Sequence, residues 1–263
     1  MESALAEVEF LARSPNRVAV LQSLAEGQRT RNELADATGA SQATLGRILG
    51  DFEERSWVAR DGSRYEATAT GELVARGVGD LLSIVETERE LRDIVAYLPT
   101  EDLGFDLRRL ADATVTVPTE TRPNAPVQRL LDLTRAADRS RAFSHAFNEQ
   151  SLGLTAERAT AGELDFEGVF SRSAIDAIAG DAELRRRLET LLDAESATVR
   201  VYDDGIPVAA TVLDDTVHLL VRDDSGVLRA SVDTDDEAVR DWAVETFDRY
   251  WERAAPIDAG DLR

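Results

Sequence analysis

Cysteine is absent from this 263-residue chain, and so is lysine. The first absence excludes disulfides, zinc ribbons and thiol chemistry together. The second excludes a lysine-bearing phosphate-binding loop. It also leaves arginine to carry all 30 basic charges, against 51 acids and a formal net charge of −21. No apolar run approaches the ~18 residues that a membrane-spanning helix needs. The N-terminal MESALAEVEFLARS is acidic and lacks the basic start and small-residue cleavage site of a signal peptide. The expectation is a soluble, cytoplasmic protein with no membrane partner.

What is present is a chain long enough for two ordinary domains, 43% hydrophobic, with its acids spread evenly. Residues 71–263 carry 40 acids and 22 arginines without a block or tail. A uniformly acidic, lysine-free surface suits a salt-saturated cytoplasm, where carboxylates hold water and cations while their self-repulsion is screened. The charge therefore reads as solvent adaptation of a halophile.

Apolar spacing predicts helices over 4–12 and 16–25. Thr30 and Glu33 in TRNE form a capping box for a third helix that Gly39 ends. Ser41 caps a fourth helix running to about Arg55. The short joint between the third and fourth helices has the geometry of a helix-turn-helix. WVAR and YEATA then flank an Asp61-Gly62 turn, a hairpin signal. Helix-turn-helix plus hairpin is a winged helix over residues 1–70.

A connecting helix is expected over 71–98, with Val74, Val78, Leu81 and Val85 on one stripe that could pair with a second copy. Packing of that stripe within the chain is the alternative. The region 99–126 holds four prolines, the natural hinge. Beyond it, helices are expected at 127–137, 173–179, 183–193 and 235–253. Strands are expected at 141–147 and 163–170 and in TVRVYD, PVAATVL, TVHLLVR and VLRASV. The fold class is α+β: a winged helix, a connecting helix, and an α/β regulatory domain at 99–263 with a mixed or antiparallel sheet.

Helical periodicity divides the fourth helix. Leu45, Ile48, Leu49 and Phe52 share the buried side, and Gln42, Ala43, Gly46 and Arg47 the outer one. The outer set suits a major groove: glutamine reads adenine, arginine forks onto guanine, and small residues let the backbone approach. Thr30, Ser41 and Thr44 stand where helix N-termini meet phosphates. Arg60 and Arg64 flank the wing turn, where a minor groove or backbone would lie. Residues 29–64 balance six arginines with six acids, a neutral island in an acidic chain.

The stretch from TRNELADATGASQ to ATGELVA resembles the N-terminal domain of haloarchaeal winged-helix transcriptional regulators. The segment from FDLRRL to FDRYW looks like the C-terminal domain of archaeal regulators related to the methanogenesis regulatory protein. The resemblance implies a regulator that binds double-stranded DNA through Gln42, Thr44, Arg47, Arg60 and Arg64, with a sensing domain behind it. It departs from the pattern at Ser56, where related chains usually have glycine, so a strained or different helix end is expected there.

His145 and His218 lie far apart, with no H-E-x-x-H spacing, and no serine sits in a GxSxG context. No metal, cofactor or catalytic role is expected, so the chain is not read as an enzyme. His218 reads as a sheet-surface or half-buried residue. His145 with Asn148, near a strand end in an α/β domain, is the candidate contact for a small-molecule effector. Two other readings stay open: an adaptor that uses its winged helix on proteins, and an enzyme carrying a winged helix.

Overall fold

A computed structural model describes residues 2–258 and 260–262. The chain parts into two compact units between Glu86 and Thr87. The first contains α1 (Glu2–Ala12), α2 (Pro15–Ala25), β1 (Arg29–Thr30), α3 (Arg31–Thr38), α4 (Gln42–Glu54), β2 (Val58–Asp61) and β3 (Arg64–Ala67). The long α5 (Ala69–Leu91) leads out of it. The three strands form an antiparallel sheet in the order β1-β3-β2, so helix-turn-helix and wing are both present.

Local chemistry sets these boundaries. Pro15 opens α2 where a missing N–H costs nothing. Thr30 and Glu33 complete a reciprocal capping box on α3, and Gly39 ends that helix at φ 69°. The core gathers Leu21, Leu24, Leu34, Leu45, Ile48, Leu49 and Phe52, with Phe52 between the rings of Phe10 and Trp57. Fully burying each such side chain contributes roughly 1.5–3 kcal/mol.

Three details differ from or sharpen the sequence reading. The wing turns on Gly62-Ser63, because Asp61 still pairs with Arg64 and only Gly62 takes positive φ, at 57°. Ser56 does adopt the left-handed conformation, φ 58°, where a side chain is strained. Its carbonyl accepts hydrogen bonds from the Thr68 and Thr70 hydroxyls, which hold the strained turn in place. The connecting helix stops at Leu91 rather than 98, and a short 3-10 turn, Val95–Tyr97, follows. Pro99 drives Leu98 out of helical conformation, to ψ 127°, so a helix cannot reach it.

The second unit adds a 3-10 turn at Leu107–Leu110, β4 (Thr114–Thr116), α6 (Ala125–Ala136), β5 (Arg139–Ser144), α7 (Glu149–Thr160) and β6 (Asp165–Ser171). Then follow α8 (Arg172–Ala179), α9 (Ala182–Leu192), β7 (Ala197–Tyr202), β8 (Ala209–Leu213), β9 (Thr216–Arg222), β10 (Leu228–Thr234), α10 (Glu237–Arg253) and β11 (Ala255–Pro256). One eight-stranded sheet has the order β11-β7-β6-β5-β8-β9-β10-β4. β5, β6 and β7 are parallel and the other pairings antiparallel, so the sheet is mixed. The expected strand at 141–147 begins at Arg139 and ends at Ser144, and α7, which apolar spacing did not disclose, follows it.

The two sheet faces differ chemically. Phe143, Val169, Ala210, Val212, Val217, Leu219, Val221 and Val232 face α10, whose Val239, Trp242, Ala243 and Phe247 complete the layer. On the other face Ser140, Ser144, Thr211, His218, Arg222, Ser231 and Asp233 take the intervening positions. The helices α6 and α7 lie on that side. A polar strand face under helices must find partners for its groups, which fixes where a site can be.

Candidate nucleic-acid interface and a polar cavity

On α4 the buried and exposed faces separate cleanly. Leu45, Ile48, Leu49 and Phe52 are buried; Ser41, Gln42, Ala43 and Arg47 are exposed; Thr44 and Gly46 are half-buried. The Ser41 hydroxyl accepts the Thr44 amide hydrogen and lies 3.0 Å from the Thr44 hydroxyl. Two of the three candidate phosphate-contacting hydroxyls thus stand together at the helix N-terminus, where the dipole favours an anion.

Residues of α3, which sequence reasoning passed over, complete this surface. The Gln42 amide donates to Asn32 Oδ1 at 3.1 Å, which orients its head group. The Arg31 guanidinium lies over Gly46: a Cβ there would stand 3.3 Å from Nη2. Glycine at 46 therefore makes room for an arginine on the outer face of α4. Thr30 pairs across strands with Arg64, and its amide donates to Glu33, holding that carboxyl below the usual glutamate range. Wing, α3 and α4 are tied together through Thr30, Arg31 and Asn32.

The arginines of this surface form no close ion pairs among the described residues, although Arg64 helps hold the Glu33 carboxyl low. Among the described residues no carboxylate lies within 4.0 Å of the guanidinium groups of Arg31, Arg47, Arg60 or Arg64. Arg60 folds back to donate from Nε to the Gly62 carbonyl and lies 5.4 Å from the centre of the Tyr65 ring. Arg17 and Arg55, away from this surface, are paired with Asp51 and Glu7. The arrangement presents four unpaired cations around a groove-sized helix face, chemistry suited to phosphates and base edges.

In the second unit, β5, β6, β8 and β9 with α6 and α7 line a partly open cavity of about 70 Å³. Thr134, Ser140, Ser144, Asn148, Ser151, Thr155, Thr211, His218 and Arg222 supply its polar lining, and Phe166, Phe170 and Leu152 part of its apolar wall. His218, expected at a sheet surface, is 1% exposed, and neither ring nitrogen has a hydrogen-bond partner among the described residues. The sheet-surface or half-buried reading of His218 gives way to full burial, because helices cover that strand face. Burial pushes the His218 imidazole down to about 4, with Asp233 acting upward and Arg129 downward. His218 is consequently neutral near pH 7, one nitrogen a donor and one an acceptor.

Of the two residues singled out for an effector, Asn148 lines this cavity and His145 does not. The Asn148 side chain caps α7, accepting from the amides of Gln150 and Ser151. His145 lies beyond the end of β5 against a separate depression with Tyr97, Pro207 and Arg222, its pKa lowered by burial.

No helix among the described residues is long and apolar enough to cross a membrane. Residues 123–253 match the family model described as methanogenesis regulatory protein FilR1, middle domain. Residues 5–90 match the HVO_A0261 N-terminal domain. Among solved structures the chain is similar to TrmBL2, an archaeal chromatin protein with a novel mode of DNA binding, at 14% identity and a TM-score of 0.44. That alignment covers 95% of this chain and 98% of TrmBL2. Over 56% of its length it is similar to 99% of Nuc, a phospholipase D family member from Salmonella typhimurium, at 13% identity and a TM-score of 0.43. NucT from Helicobacter pylori aligns over 55% of this chain and 98% of its own, at 12% identity and a TM-score of 0.45. The two matches, over 5–90 and 123–253, fall on the two units separately and show an N-terminal and a middle-domain likeness to these archaeal-regulator family models.

Proposed function

We propose that this protein is a sequence-specific, DNA-binding transcriptional regulator that works in the cytoplasm of a halophile and catalyses no reaction. α4 enters the major groove, with Gln42, Ala43, Gly46 and Arg47 towards base edges. Thr30, Ser41 and Thr44 take phosphates, and Arg60 and Arg64 follow the backbone or minor groove at the wing. The observation that carries this reading is the exposed, unpaired Arg47 on a helix whose opposite face is wholly buried. In concentrated salt, counterion release contributes little, so base contacts and close fit supply more of the affinity than a basic surface would.

The regulator acts as a homodimer through α5. Val74 and Val78 of its stripe pack on the core of the first unit, whereas Leu81, Leu82, Ile84 and Val85 are each 40% or more exposed. Four adjacent large apolar residues on one exposed stretch form a patch that a twofold partner would cover. The second unit senses a small molecule. The test is selection of binding sites from random duplex DNA by wild type and Arg47→Ala. A defined motif, lost or relaxed at one base in the variant, supports the reading; wild-type protein that selects no motif contradicts it and leaves a protein-docking winged helix.

A further inference from the structure

Arg222 is unusual in a chain with 51 acids. It is half-buried at the end of β9, no carboxylate lies within 4.0 Å among the described residues, and its Nε has no partner. Its Nη1 donates to the Gly226 carbonyl. Burial alone lowers its pKa, with no acid acting to raise it. A partly desolvated cation with no anion beside it is favoured by a ligand that supplies one. Arg222 is also the sole charged residue lining the 70 Å³ cavity.

The rest of the lining defines the ligand. β5 and β9 both run antiparallel to β8, so Ser144 and Arg222, the last residues of their strands, stand at the same end of the sheet. Asn148 and Ser151, in the first turn of α7, lie at that end too, adding the positive end of a helix dipole to the arginine. Deeper in, Thr211 and His218 are cross-strand partners that offer hydroxyl and imidazole groups. Phe166, Phe170 and Leu152 offer only apolar contact. The position is a topological switch point: β5 has a parallel neighbour reached through α7 on one side and antiparallel β8 on the other, the place where α/β sheets open a crevice.

We infer that this cavity binds a short monocarboxylate bearing a hydroxyl or carbonyl oxygen, its carboxylate on Arg222 and its second oxygen among Thr211, His218 and the cavity hydroxyls. A space of about 70 Å³, two waters at about 30 Å³ each, open on one side, suits a small molecule rather than a nucleotide or sugar phosphate. The apolar wall favours a carbon chain over an inorganic oxyanion with polar corners on every side. The inference does not depend on DNA binding.

The experiment is calorimetric titration of the full chain in concentrated KCl with lactate, pyruvate, lactamide and inorganic phosphate. Lactate or pyruvate is expected to bind at millimolar concentration or tighter, and lactamide, the same size without charge, at least tenfold more weakly. Arg222→Gln should weaken the carboxylate by about tenfold or more, and Arg47→Ala should leave it unchanged. The lactate–lactamide comparison needs no variant, so a folding defect in Arg222→Gln cannot decide the question. Equal binding of lactamide, binding of phosphate alone, no heat with either carboxylate, or a folded Arg222→Gln of unchanged affinity overturns the inference. Each of those results would leave the DNA-reading proposal standing.

Discussion

Asp233 and His218 face each other across β10 and β9, yet they serve different partners. The Asp233 carboxylate receives Nε and Nη2 of Arg129 at 3.0 and 2.6 Å, while neither His218 nitrogen has a hydrogen bond of good geometry among the described residues. Burial keeps the neighbouring imidazole neutral, although Asp233 acts to raise its pKa, and the ring lines the cavity.

That neutrality makes stability depend on pH. In the unfolded chain the imidazole titrates at 6.5, in the folded one at about 4. Between those values the unfolded chain binds the proton that the folded chain refuses, so stability is full above 6.5 and is lost as pH falls to 4. The shift corresponds to about 3 kcal/mol. Denaturant unfolding followed over this range should show a steeper acid loss in wild type than in His218→Gln, and parallel curves would mean that the histidine is hydrated.

Removing Arg129 exposes the other half of the relationship. Asp233 is 4% exposed, so Arg129→Met leaves a buried carboxylate uncompensated, at a cost of roughly 2–3 kcal/mol at neutral pH. Arg129→Met with Asp233→Asn should recover much of that loss. A double variant no more stable than Arg129→Met would show that the pair acts mainly through packing.

Gly46 separates stability from DNA binding. A helix-interior Gly→Ala change gains about 0.5–1 kcal/mol, and the new Cβ meets only the movable end of Arg31, at 3.3 Å. Gly46→Ala should therefore raise the unfolding midpoint while weakening DNA affinity, measured by fluorescence anisotropy on the selected duplex. Raised stability with unchanged affinity would remove Gly46 and Arg31 from the interface.

Two backbone positions should respond in opposite directions. Ser56→Gly relieves a side chain at φ 58° and should stabilise the first unit by about 1 kcal/mol. Gly71→Ala would place a Cβ 1.9 Å from the Trp57 carbonyl oxygen, a clash no rotamer avoids, and should cost roughly 1–3 kcal/mol or more. Thermal unfolding of both variants checks the pair.

Legibility in the sequence followed the physics of each region. The winged helix could be read because its signals are local: the Thr30–Glu33 box, Gly39, the Ser41 cap and the two faces of α4 all act within a few residues. α7 was hidden because Gly153 and small polar residues blur its apolar side, and its cap is an asparagine without a capping-box partner. The cavity was hidden for a different reason. Alternation in TVHLLVR shows that His218 and Arg222 share a strand face but not what covers that face, and α6 and α7 come from distant sequence. The detectable hint was that Ser144, Thr211, His218 and Arg222 each place a hydroxyl, imidazole or guanidinium on otherwise apolar strands.

Occupancy of wild-type and Arg47→Ala protein across the source genome, by immunoprecipitation of tagged chain, decides whether α4 reads DNA in the cell. Discrete promoter peaks sharing one motif, lost in the variant while its level and folding stay normal, are the expected result. Absence of peaks, or peaks indifferent to Arg47, would contradict a sequence-reading regulator.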